Sequence, residues 1–123
     1  MYEVGVVASF EASHQLHGDF DPASQPHGHA YRIEARVSGP SLLADGTLLD
    51  ISYLQKAVSE LTEALRGRSL NTIAELDAAN PTAEVLAHYT WQAIAKQVRG
   101  ASRLRVTVWE SSEAFASFAD DLS

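Results

Sequence analysis

A chain of 123 residues with a formal net charge of −7 and no basic cluster is long enough for a core of its own and is no candidate for gripping a phosphate backbone, so nucleic acid is not an expected partner. No apolar run is long enough to span a membrane and no basic-then-apolar leader opens the chain, so a single domain over residues 1–123 in the cytoplasm is the expectation. There is no cysteine, which excludes disulfides, thiolate metal sites and a cysteine nucleophile.

Residues 2–14 read as a first strand. Val4, Val6, Ala8, Phe10, Ala12 and His14 alternate with Glu3, Gly5, Val7, Ser9, Glu11 and Ser13, most of them polar or small. A polar loop, Gln15 to Pro26, holds Asp19, Asp21 and Ser24; it is either a cover for a site or a plain connection. A second strand is predicted from about His29 to Val37, within the alternation His27, His29, Tyr31, Ile33, Ala35, Val37. Ser38-Gly39-Pro40 breaks it, and Thr47 to Ile51 read as a third short strand after the Asp45-Gly46 turn.

Ser52 with Gln55 reads as a capping box for a helix reaching about Arg66, with Leu54, Val58, Leu61 and Leu65 as its stripe and Gly67 as its C-cap. Leu70 to Ala79 are irregular or a short helical turn. Asn80-Pro81-Thr82 starts another helix, with proline at its first position, a stripe of Val85, Leu86, Tyr89, Ala93, Ile94 and Val98, and Gly100 at its end. A strand follows from Arg103 to Glu110, with Leu104, Val106, Val108 and Glu110 on one face, and a last one over Ala114 to Phe118. The class is α+β, an antiparallel sheet with helices on one face, whose open edges invite continuation across subunits.

Histidines carry the chemistry. Side chains at i and i+2 of a strand share a side, so His27 and His29 project together, and His14 ends the apolar face of the first strand. If the two strands pair antiparallel, all three imidazoles meet at one end of the sheet. One strand-end histidine is ordinarily just a hydrogen-bonded side chain; three in register on one face are a metal site. Three neutral nitrogens leave a fourth position open, the layout of a catalytic zinc. Glu110 likewise continues an apolar face, against the plainer reading of a solvated strand-end charge. His17 reads as a solvent-facing loop residue, with an approach to the metal mouth as the lesser alternative, His88 as a solvated helix residue, and Trp91 and Trp109 as packing or interface residues.

An ordered set of motifs, Phe10-x-Ala12-Ser13-His14, His27-Gly28-His29-x-Tyr31, Leu49-Asp50-Ile51, Leu70-Asn71, Asn80-Pro81-Thr82-Ala83-Glu84 and Trp109-Glu110-Ser111, resembles the 6-pyruvoyl-tetrahydropterin and 6-carboxy-tetrahydropterin synthases over nearly the whole chain. The resemblance implies the tunnelling fold, in which subunits join their sheets into a barrel as a homo-oligomer, trimer or hexamer. It implies Zn2+ on His14, His27 and His29 and a pterin-like substrate anchored by Glu110. A buried carboxylate can accept two adjacent N–H donors of a pterin edge. Thr82 and Glu84 fall on an element near the pocket, where capping and dipole complementarity are equally good explanations.

The same resemblance exposes departures. Ala23 stands where the family has a proton-transferring cysteine, and Arg66-Gly67 where it has an Asp-His pair. Ser24, Gln25 and Pro26 offer no carboxylate in place of the cysteine, which leaves Asp21, and less so Asp19, as the nearest acid. Two readings follow: a zinc-dependent lyase-type enzyme on a dihydropterin side chain with non-standard acid–base residues, or a zinc-containing pterin or purine binder that has lost the chemistry. An unrelated three-histidine zinc enzyme such as a hydratase is remote.

Overall fold

β1 (Tyr2–His14) and β2 (His27–Gly39) pair antiparallel in the computed structural model, which describes residues 1–123. Their register sets His14 opposite His27 and Ala12 opposite His29, so alternation alone puts the three histidines on one face at one end. β3 (Arg103–Trp109) lies against β2, and β4 (Phe115–Asp121) against β3, both antiparallel, giving the order β1-β2-β3-β4.

One face of this sheet carries the helices. α1 (Ile51–Leu65) buries Leu54, Val58, Leu61 and Leu65, and α3 (Ala83–Ala95) buries Leu86, Ala87 and Ile94. They share one core with Phe10, Tyr31, Ile33, Val106 and Val108 of the strands, α1 lying against β1 and α3 against β3 and β4. Each fully buried side chain of this size stabilises the fold by about 1.5–3 kcal/mol relative to leaving it exposed. Between the two helices run a 3-10 turn (Leu70–Thr72) and the short α2 (Ala74–Ala79), so the segment read as irregular or a short helical turn is helical.

Several local expectations are corrected. Thr47 to Asp50 form no strand, because Leu48 and Leu49 are both buried. Neighbouring side chains of a strand point to opposite faces, so two buried neighbours plug a core instead of continuing a sheet. Leu48 presses so closely on Gly39 that a Cβ there would lie 2.9 Å from Leu48 Cδ1. α1 starts two residues early: Asp50, not Ser52, is its N-cap, and Asp50 Oδ1 accepts from the Ser52 N–H at 3.0 Å and hydroxyl at 2.7 Å. Asp50 thus occupies the capping place assigned to Ser52 and Gln55. Pro81 lies outside α3, whose N-cap is Thr82, and that helix stops at Ala95, short of Gly100. β2 begins at His27 rather than His29, and β4 extends beyond Phe118 to Asp121.

The segment after α1 returns to the outer edge of β1. Gly67 N–H donates to Glu11 O at 2.7 Å, Ser13 N–H to Arg68 O at 3.0 Å, and Ser13 bridges Ser69 in parallel. The edge is covered there and open from Tyr2 to Ser9.

Candidate metal centre

The imidazoles of His14, His27 and His29 converge, with one nitrogen of each within 4.8 Å of the others. Two of them are pre-set by backbone carbonyls. His14 Nδ1 donates to Pro81 O at 2.6 Å, and His27 Nδ1 donates to Gln25 O at 2.8 Å. A carbonyl only accepts, so both Nδ1 atoms carry the proton and both Nε2 atoms present a bare lone pair. Those two Nε2 atoms face each other at 2.9 Å. Lone pairs this close repel unless a cation lies between them. Zn–N bonds of about 2.0–2.1 Å set tetrahedral ligand nitrogens about 3.3 Å apart, close to the 2.9 Å of this pair and inside the 4.8 Å limit that holds for all three. The residues present therefore fit a metal.

Burial pushes the His14 imidazole below its ordinary range, against its bond to Pro81, and the neighbouring imidazoles of His27 and His29 push it the same way. The neutral ring is the form a metal needs. Tyr31 is buried, stacks on Phe10 at 5.4 Å between centroids, and places its hydroxyl 3.2 Å from His14 Nδ1. Burial, and then the charge of Glu110, raise the Tyr31 phenol, so it stays protonated and is no base at neutral pH.

Glu110 follows β3 directly, is half-buried, and acts electrostatically on both His14 and Tyr31. With His29, Arg32, Trp109, Ser111 and Ser112 it lines a cavity of about 530 Å³, a size suited to a small bicyclic ligand. Trp109 packs on Phe115 at 4.7 Å, but its buried Nε1–H bonds nothing, an unused donor beside that cavity. Thr82 caps α3 by accepting from the Val85 N–H at 3.2 Å. Asp21 is exposed on the loop, its carboxylate bonded to the Ser24 hydroxyl, and does not line the cavities flanking His29.

Just past α1, Gly67 lines a second cavity of about 390 Å³ with Glu11, Ser13 and His29, while Arg66 lines a separate one of about 360 Å³ with Ser9 and Phe10. Gly67 has φ of 74°, a conformation side chains rarely adopt, and a Cβ there would touch nothing. The backbone here suits glycine, not histidine. His17 bonds Asp77 at 2.8 Å and is exposed, as expected of it; His88 is exposed too but rests on Phe118 at 4.5 Å. Sequence reasoning missed the Pro81 carbonyl and the Tyr31 hydroxyl, for which only the Asn80-Pro81 and His-x-Tyr motifs were a signal.

The sequence model of 6-pyruvoyl tetrahydropterin synthase matches residues 3–121. The chain belongs to that family. Among solved structures, the Caenorhabditis elegans 6-pyruvoyl tetrahydropterin synthase is 20% identical with a TM-score of 0.86, over 97% of this chain and 95% of that one. The Plasmodium falciparum 6-pyruvoyl tetrahydropterin synthase is 16% identical, TM-score 0.79, over 98% of each chain. A Plasmodium vivax 6-pyruvoyltetrahydropterin synthase, in a variant with a catalytic glutamate changed to alanine, is 17% identical, TM-score 0.80, over 98% of each. At these identities the likeness is one of fold, and it establishes the tunnelling fold. No curated protein matches at the sequence level. No helix is long and apolar enough to cross a membrane.

Proposed function

We propose that this chain is a zinc-dependent lyase-type enzyme acting on the side chain of a dihydropterin such as dihydroneopterin triphosphate, with residues 1–123 as one synthase-like domain. The observation that carries this is the facing pair of Nε2 lone pairs, 2.9 Å apart, with His29 alongside and Glu110 close by. His14, His27 and His29 would hold the ion. When bound, zinc supplies a Lewis acid that polarises a side-chain oxygen of the substrate and acidifies the adjacent C–H.

The protein supplies the rest. Glu110 accepts two N–H donors of the pterin edge. The carbonyls of Pro81 and Gln25 hold the tautomers of His14 and His27, a role that second-sphere partners of zinc histidines commonly play. The Thr82 hydroxyl lies at the N-terminus of α3, next to the carbonyl that orients His14, and could add a polar contact to substrate. The open edges of β1 and β4 would pair with other copies to form a trimer or hexamer, in the cytoplasm.

The test is to incubate zinc-loaded protein with dihydroneopterin triphosphate and identify products by mass spectrometry. Turnover that is lost in His27→Ala supports the enzyme; no conversion at full zinc occupancy refutes it. A second reading, a pterin or purine binder without chemistry, is favoured by Ala23, Arg66 and Gly67, none of which exchanges protons at neutral pH. It predicts unchanged ligand that binds, and binds less well to Glu110→Ala.

A further inference from the structure

We propose that His17 and Asp77 form the proton-transferring pair of this site, with His17 exchanging the proton and Asp77 orienting its ring. The inference rests on the zinc and pterin reading and supplies the acid–base group that Ala23, Arg66 and Gly67 cannot.

The geometry is that of an oriented base. His17 Nε2 donates to Asp77 Oδ1 at 2.8 Å, and Asn71 Nδ2 donates to the same oxygen at 2.8 Å. These bonds hold the Asp77 carboxyl below the usual carboxylate range, the one from Asn71 most, so it stays charged. A carboxylate only accepts, which fixes the proton on Nε2 and leaves the His17 Nδ1 lone pair without a partner on a half-exposed ring.

The pair is also tied to the metal centre. His17 follows His14 by three residues, a separation the backbone can span only to about 11 Å. Asn80, at φ of 70°, clamps the His17 backbone twice, with Oδ1 accepting from its N–H at 2.7 Å and Nδ2 donating to its carbonyl at 3.1 Å. The next residue is Pro81, whose carbonyl orients His14. On the other side, Leu16 N–H donates to Ala23 O at 3.0 Å, so the loop position that lacks a reactive side chain is bonded to the neighbour of His17. The loop is already fastened by Asn80 and Asn71 through backbone atoms of residues 15 and 17, which any side chain at 17 would permit. The imidazole on Asp77 is additional to that fastening.

In the step, Nδ1 accepts a proton from the substrate carbon beside the polarised oxygen. The electron pair of the broken C–H bond stays on the substrate as an enolate, and Asp77 balances the imidazolium. Return of the proton to the substrate restores neutral His17.

The test compares zinc-loaded parent, His17→Gln, Asp77→Asn and the control His88→Gln with dihydroneopterin triphosphate. Glutamine can keep the hydrogen bond to Asp77 but cannot exchange a proton. His17→Gln is expected to lose about 10²–10⁴-fold in turnover with zinc content and substrate affinity unchanged. Asp77→Asn, which favours the wrong tautomer, falls with it, and His88→Gln does not. Added imidazole restores part of the turnover of His17→Ala, and the His17 ring nitrogen signals shift when substrate binds to the parent. Turnover of His17→Gln at the parent rate overturns this pair and leaves the zinc and pterin reading standing. A parent that never converts substrate overturns both.

Discussion

Stripping and restoring the metal gives the sharpest test of the histidine centre. Zinc that binds only the folded chain stabilises it by RT ln(1 + [Zn]/Kd), about 4.1 kcal/mol when free zinc is a thousand times Kd. At about 2.1 cal/mol/K per residue, the 123 residues unfold with an entropy of about 0.26 kcal/mol/K, so Tm rises by about 16 °C. His29→Ala leaves two of the three converging nitrogens. If it weakens binding a hundredfold, the same zinc concentration gives about 1.4 kcal/mol and a rise of about 5 °C. Differential scanning calorimetry of chelator-treated protein, with and without zinc, measures both shifts. A Tm indifferent to zinc, or an equal rise in parent and His29→Ala, would refute the assignment of the ion to these side chains.

Glu110→Gln should weaken pterin binding by about 10–100-fold, the loss of a charge-assisted hydrogen bond, with zinc content unchanged by elemental analysis. Metal-free protein should lose stability as pH falls through 6.5: the folded pKa of His14 lies below the ordinary value, so the unfolded chain takes up its proton first. That slope is at most about 1.4 kcal/mol per pH unit, and urea titrations should find its His14 share missing in His14→Gln. Asn80→Ala forfeits two hydrogen bonds and a left-handed residue that asparagine tolerates, and should cost about 1–3 kcal/mol, with faster amide exchange at His17.

Alternation made the two long strands legible, and with them the meeting of His14 with His27 and of Ala12 with His29, because a period of two fixes face and register together. The helical stripe of Leu54, Val58, Leu61 and Leu65 was readable for the same reason. Leu48 and Leu49 misled, since an apolar pair between the β-branched Thr47 and Ile51 looks like a strand until one asks whether alternate residues face the same way. Asp50 and Ser52 are both good caps, and nothing local decides between them. The bond from His14 to Pro81 spans 67 positions and that from His17 to Asp77 spans 60, and such partners leave no periodicity to read.

The return of residues 67–69 to the rim of β1 has a topological consequence. Any strand added to that rim, from a sister molecule or an aggregate, must stop short of Glu11 or peel this segment away first. Growth across this edge is thereby confined to the half of β1 remote from the histidines, and self-association there can proceed without disturbing them.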